Sequence, residues 1–134
     1  MDKPIRSYKD LIVWQKGIEL VVEIYKITDK FPKQELYGLC SQMNRSAVSI
    51  PCNISEGHRR GTRKDYRHFL LNSYGSGAEL ETQIVIVKKL PFGKSLDFTK
   101  VDPLLDEIMK MLNRMINVLD EKEKSTTYSL HPTP

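Results

Sequence analysis

Apolar residues recur every three or four positions along four segments of the chain, a spacing that places them on one face of an α-helix. The first predicted helix covers residues 8–30, and Pro32 ends it because proline disfavours a helical conformation in the residue before it. The second covers residues 34–56. It contains Pro51, where we expect a kink or a broken turn. Gly57 is well placed to cap its C-terminus.

The third and fourth segments carry further helix signals. The third predicted helix covers residues 63–90, with Thr62 as a good N-cap. A Gly-Ser-Gly run at 75–77 indicates close approach of another helix, since glycine costs about 1 kcal/mol relative to alanine inside a helix. The fourth covers residues 102–122, and it opens with an aspartate at the N-cap followed by proline, a common start signal.

Four helices with short connections predict an all-α fold, an antiparallel up-down-up-down four-helix bundle. The 134 residues fit one domain. We place the bundle at residues 1–123 and expect residues 124–134, which are polar and contain prolines, to form a disordered C-terminal tail. No apolar run approaches the roughly 20 residues of a membrane-spanning helix, and the first ten residues lack the apolar part of a signal peptide. The cytoplasm is therefore the expected location.

Residues 58–68, here called the basic turn, connect the second and third predicted helices. They contain five of the 21 basic residues and one of the 17 acidic residues; five minus one is +4, which equals the formal net charge of the whole chain. Helix N-termini also offer free backbone N–H groups to anions, and Tyr66 and His68 could stack on bases. The basic turn therefore suits a phosphate backbone. Its cations are Arg59, Arg60, Arg63, Lys64 and Arg67.

Other interpretations of the basic turn remain open. Five cations on one monomer are few, and Glu56 can pair with Arg63 or Arg67. A charged run on a small protein is often only a solvated surface, and the same surface can also contact a protein. Assembly into a ring would favour the nucleic-acid interpretation, because it repeats the basic turn in every copy.

A polar seam is predicted between the second and third helices. If the turn centres near residues 60–61, antiparallel packing brings Arg45 within one helical turn of Glu79. We expect an ion pair between them, or a close variant. The alternative is a solvated face with loose ion pairs, each contributing little. The predicted seam residues are Arg45, Asn53, Glu56 and Glu79.

The sequence contains few combinations of residues that are typical of an active site. We therefore predict no catalytic residue, no metal site, no cofactor and no enzymatic activity. His58 and His68 have no cysteine or carboxylate motif at metal-ligand spacing, and His131 lies in the tail. If one helix spans Cys40 and Cys52, they are about 18 Å apart at 1.5 Å per residue and cannot bridge each other. Both are expected to be reduced, mostly buried thiols.

Several short motifs, combined in one order, resemble a known protein family. The opening YKDLIVWQK at residues 8–16 matches the usual start of that family. The chain resembles the 23S ribosomal-RNA intervening-sequence proteins, a group of bacterial four-helix bundle proteins, over residues 8–119. It departs from the usual pattern at Cys52 and at residues 72–74. The other motifs are Ala47-Val48-Ser49-Ile50-Pro51, Asn53-Ile54-Ser55-Glu56-Gly57, Phe69-Leu70, Gly75-Ser76 and Glu79-Leu80-Glu81-Thr82-Gln83.

The resemblance implies a four-helix bundle that assembles as a ring, commonly a pentamer. It also implies a relation to the accessory proteins of diversity-generating retroelements, which are basic pentameric barrels that bind nucleic acid and a reverse transcriptase. No enzymatic activity is established for the group. We therefore expect a non-enzymatic homo-oligomer that binds RNA or DNA through the basic turn. The alternative is an adaptor that docks a protein partner, such as a reverse transcriptase.

Overall fold

The computed structural model describes residues 4–130, and of residues 121–130 only the helical backbone. Within this range the chain is helical and contains no β-strand. The predicted all-α class and the four-helix bundle are confirmed. The helices are α1 (Ile12–Thr28), α2 (Ser41–Arg59), α3 (Arg63–Lys89) and α4 (Val101–Leu130).

Consecutive helices run in opposite directions. Gly17 of α1 packs on Pro51 of α2, whereas Thr28, at the end of α1, donates a hydrogen bond to Asn44 (2.8 Å). Residue numbers therefore rise along α1 as they fall along α2. The contacts of α2 with α3 and of α3 with α4 follow the same opposite order. Each helix contacts the two beside it, so α1 lies diagonally across the bundle from α3.

The core lies along the bundle axis and receives apolar side chains from all four helices. Ile24 of α1, Ile50 of α2, Leu80 of α3 and Ile108 of α4 have no solvent-exposed surface. Their three- and four-residue spacing within each helix keeps these side chains on the inward face. Burying one such side chain contributes about 1.5–3 kcal/mol, so the core holds the helices in register.

The first helix begins later than predicted. Ser7 and Asp10 do form a capping box, but it caps a single 3₁₀ turn, Tyr8–Asp10. Leu11 then adopts an extended conformation, with φ −74° and ψ 127°, and α1 starts at the next residue. The chain thus makes a bend where the sequence pattern predicts one continuous helix.

The second helix also starts later, at Ser41. The preceding residues form a 3₁₀ turn, Lys33–Glu35, and a π-helical turn, Leu36–Cys40. Gly38 interrupts the helix, with φ −108° and ψ −114°. The apolar periodicity over residues 34–40 therefore belongs to these irregular turns and not to a regular α-helix.

Pro51 does not break α2, which continues from Ser41 to Arg59. The proline ring is buried against α1, where a Cβ built on Gly17 would lie 3.3 Å from the Pro51 Cβ. Beside it, the carbonyl groups of Ser49 and Ile50 accept hydrogen bonds from side chains, at 2.8 Å from Asn53 and 2.9 Å from Ser73. The broken turn that we considered at Pro51 is therefore absent, whereas a kink there stays a prediction.

The fourth helix begins at Val101, so Asp102 lies in its first turn and not at the N-cap. The Asp102 carboxylate instead accepts a hydrogen bond from Lys88 at 2.5 Å, which ties α4 to the end of α3. α4 extends into the predicted tail as far as Leu130. Residues 131–134 lie outside the described part, so the disorder of the tail stays a prediction. None of the described helices is both long and apolar enough to cross a membrane.

Candidate nucleic-acid interface

The basic turn is built around Gly61, the one described residue with a positive φ in the left-handed region (φ +86°). This conformation favours glycine and commonly ends a helix. α2 ends at Arg59, and its C-cap Arg60 directly precedes Gly61. The Thr62 side chain caps α3 by accepting a hydrogen bond from the Asp65 N–H at 3.2 Å. Thr62 is therefore confirmed as an N-cap.

Gly57 does not cap α2 as predicted. It lies buried inside the helix, facing Tyr66 and Phe69 of α3. A Cβ at this position would stand 2.7 Å from the Phe69 Cβ, a distance that real Cβ atoms essentially never show. The absence of a side chain at Gly57 therefore allows α2 and α3 to approach closely just below the basic turn.

Two of the five cations in the basic turn are directed at the protein itself. Arg60 pairs with Glu56 at 3.0 Å and lies over the Phe69 ring, 5.0 Å from its centroid. Arg67 reaches α4, where it donates to the Ile116 carbonyl at 3.4 Å and lies 3.7 Å from a carboxylate oxygen of Asp120. Glu56 therefore pairs with Arg60. The pairing of Glu56 with Arg63 or Arg67 that the sequence allows does not form.

The other three cations face outward. Arg63 and Lys64 are exposed in the first turn of α3, and neither forms an ion pair with a described side chain. Arg59 is exposed and lies over the Tyr8 ring, 5.6 Å from its centroid. Tyr8 is far away in sequence, so no local pattern could have identified it as part of this surface. We call Arg59, Arg63 and Lys64 the outward cations.

The aromatic residues of the turn are unequally available. Tyr66 is half-buried and makes an edge contact with His58, with ring centroids 5.6 Å apart. Burial also raises the pKa of the Tyr66 hydroxyl above its ordinary value. His68 is exposed and makes an edge contact with Phe69 at 5.4 Å. Of the two rings expected to stack on bases, only His68 presents itself to solvent.

A polar seam does lie between α2 and α3, but small side chains form it. The hydroxyl groups of Ser49 and Ser76 are 2.8 Å apart, and Asn53 donates to the Ser49 hydroxyl at 2.8 Å. Arg45 and Glu79 are exposed, and they are not among the ion pairs of residues 4–120. Both side chains point outward, so the predicted pair within the chain does not form.

The two cysteines differ in exposure. Cys40 is buried and Cys52 is exposed on the outer side of α2, and both are free thiols. The expectation that both are mostly buried is therefore wrong for Cys52. Among the described residues, no three or more His, Cys, Asp and Glu side chains are placed to hold a metal ion together.

Fold and site together define a small four-helix bundle with a cationic turn at one end. The model of the family described as 23S rRNA-intervening sequence protein matches residues 9–114. This match covers most of the chain, so the chain belongs to the 23S rRNA-intervening sequence protein family. A comparison with curated proteins finds no match.

Proposed function

We propose that the protein is a non-enzymatic homo-oligomer, a pentamer as the family resemblance implies, that binds RNA or other nucleic acid through the basic turn. One observation carries the proposal. Arg63 and Lys64 are exposed without a carboxylate partner among the described side chains, in the segment whose charge equals the net charge of the chain. The outward cations Arg59, Arg63 and Lys64 are the proposed contact residues.

The chemistry of phosphate recognition supports this choice. Lysine and arginine neutralise phosphates and release condensed counterions, which provides affinity without sequence specificity. The start of a long helix adds a partial positive charge at the same place. Two or three cations in one copy give weak binding. A ring presents this set once per copy, so several phosphates of one strand are neutralised together.

A gel-shift titration with RNA of the host organism, at several salt concentrations, tests the proposal. We expect the double variant Arg63→Ser with Lys64→Ser to bind more weakly. Its slope of log affinity against log salt should be smaller by about 0.7 for each lost contact to a single strand. The matched control removes the same charge at the opposite end of the bundle, with Lys89→Ser and Lys94→Ser, which are both exposed and form no ion pair with a described side chain. The control should bind like the wild type.

Equal affinity and equal slope for both double variants would rule out the basic turn as the binding site. The purified wild type should also carry nucleic acid that high salt removes. If it carries none and instead retains a second protein at high salt, the adaptor interpretation replaces this proposal. A mass of 15.5 kDa by light scattering at micromolar concentration would contradict the oligomer.

A further inference from the structure

Two sides of the bundle expose more large apolar side chains than the other two. Eleven such side chains are exposed within residues 4–120: seven on α1 and α3, one on α4 and none on α2. The remaining three lie in the N-terminal segment and in the connection before α2. Because α1 and α3 are diagonal neighbours, these apolar surfaces point away from each other. Contiguous exposed apolar surface on a small protein marks a contact site.

The surface on α1 carries large side chains. Ile18, Val22 and Tyr25 are spaced by four and three residues, so they form one stripe, and each is at least 40% exposed. Leu36 and Tyr37 lie beside this stripe, where they line a shallow groove with Tyr25. Tyr37 is 92% exposed. We call these five residues the bulky face.

The surface on α3 has the same spacing but small residues at its centre. Its exposed positions alternate by four and three residues along the helix. Gly75 has open space around it, since a Cβ built there meets no atom within 4 Å. The members of this small-residue face are Leu71, Gly75, Ala78, Thr82 and Val85.

The two faces stand at the same height along the bundle. Gly17 touches Pro51, and Ser73 donates to the carbonyl of Ile50, so Gly17 and Ser73 lie at one level. α1 and α3 run in the same direction and rise about 1.5 Å per residue. To within one helical turn, Val22 is therefore level with the small residues of α3, Gly75 and Ala78. Ile18 is level with Leu71 by the same reasoning, and Tyr25 with Thr82.

Charges at the edges of the two faces also correspond. Arg45 lines the groove of the bulky face, and Glu79 is exposed next to Ala78 on α3. Ser49 of α2 and Ser76 of α3 are in contact. Arg45 lies about one helical turn before Ser49, and Glu79 lies nearly one turn after Ser76, which is the same direction along the bundle because α2 and α3 are antiparallel. Arg45 and Glu79 are thus level as well. Neither forms an ion pair within residues 4–120.

We propose that the bulky face of one copy packs on the small-residue face of the next copy, with Arg45 of one chain against Glu79 of the other. This inference rests on the homo-oligomer in the proposed function and assigns its interface. At the centre of this contact Val22 meets the small residues Gly75 and Ala78 at a matching height, which permits close packing of two parallel helices. Rotation about an axis along the bundle preserves these heights. The contact joins two different surfaces, so it generates a ring when the rotation closes.

Single substitutions on each face, followed by light scattering at micromolar concentration, test this interface. Val22→Glu disrupts the bulky face and Ala78→Glu the small-residue face, so each variant should be a 15.5 kDa monomer. Val118→Glu is the matched control, because Val118 is similarly exposed, at 47%, but lies on α4. It should keep the mass of the wild type.

Mixing the two monomeric variants separates this interface from a symmetric one. Each retains one intact face, so together they should form a 1:1 complex of twice the chain mass and nothing larger. Its formation also proves that both variants fold. Arg45→Glu alone and Glu79→Arg alone should weaken assembly, and both together in one chain should restore it.

The possible failures are distinguishable. A wild type that is itself monomeric removes the oligomer from the proposed function, and the interface with it, whatever the nucleic-acid result. An oligomeric wild type whose Val22→Glu and Ala78→Glu variants keep full mass overturns this interface alone. Two folded monomeric variants that do not combine would overturn the pairing of the two faces.

Discussion

Gly57 of α2 lies so close to Phe69 of α3 that a Cβ built on the glycine would stand 2.7 Å from the Phe69 Cβ. The two helices therefore approach each other closely just below the basic turn. This close approach fixes the start of α3, and with it Arg63 and Lys64, relative to the end of α2.

Gly57→Ala should therefore destabilise the fold, although alanine is the better helix former. Overpacking costs about 1–3 kcal/mol, and the gain in helix propensity offsets about 1 kcal/mol, so we expect a net loss of up to about 2 kcal/mol. Urea denaturation followed by circular dichroism measures it. Gly77→Ala is the matched comparison, because its Cβ would meet the flexible end of Met109, which can move aside. A larger loss for Gly77→Ala than for Gly57→Ala would contradict this account.

The Ser73 side chain, which is fully buried, should contribute measurably to the free energy of unfolding. Its hydroxyl donates to the Ile50 carbonyl at 2.9 Å, across the α2–α3 contact and next to Pro51. Loss of a buried hydrogen bond of this kind costs about 0.5–1.5 kcal/mol, which is the expected effect of Ser73→Ala. Ser55→Ala removes a comparable hydroxyl bond on the outer side of α2 and should change the unfolding free energy by less than about 0.5 kcal/mol. Equal effects of the two substitutions would show that burial at Ser73 is unimportant.

Substitution of Arg67 should affect the stability of the fold, whereas substitution of Arg63 should affect nucleic-acid binding. Arg67 holds α4 through Ile116 and Asp120, so Arg67→Ser should lower stability, by less than about 1 kcal/mol because the ion pair is partly exposed. Its nucleic-acid affinity should change little. Arg63→Ser should leave stability unchanged and weaken binding several-fold at low salt. Thermal unfolding and gel shift on both variants decide between these roles, and a stronger binding defect in Arg67→Ser would reverse them.

The Tyr66 hydroxyl should make stability depend on alkaline pH. Burial raises the pKa of Tyr66, so above about pH 10 the unfolded chain ionises first and the unfolding free energy falls as pH rises. Tyr66→Phe should show a smaller fall than the wild type between about pH 9 and pH 11. The internal control is the range from about pH 6 to pH 8, where tyrosine stays protonated and the two proteins should show the same dependence on pH. A steeper fall of the unfolding free energy with rising pH in Tyr66→Phe than in the wild type would contradict this prediction.

The strong periodicity of apolar residues predicts the four helices. The residues at which the helices begin and end depend also on contacts that this periodicity does not show. Thr62 was identified as a cap because capping is local: its side chain reaches only three residues ahead. Gly57 was misassigned because glycine serves both as a cap and as a close-contact residue, and only the position of Phe69 distinguishes the two. A broken turn is one of the two outcomes expected at Pro51, yet α2 continues through it, and the local pattern does not show that its ring packs on Gly17 of α1.

For the candidate site, the sequence located the cations but not their directions. The pair of Arg60 with Glu56 is local, four residues apart. The contact of Arg60 with Phe69 and the contacts of Arg67 with α4 depend on how the helices pack. The Arg45–Glu79 pair was expected from antiparallel register, and the register is correct. The two side chains nevertheless point outward, because helix rotation about its own axis is set by the core.

Periodicity, caps and charge are properties of neighbouring residues, so they suffice to predict the all-α class, the four helices and the position of the positive charge. Only the packing of the helices directs Arg67 to α4 and gives α1 and α3 exposed apolar faces at matching heights. Those features depend on how the helices pack around a shared core, and packing joins residues that are far apart in the chain.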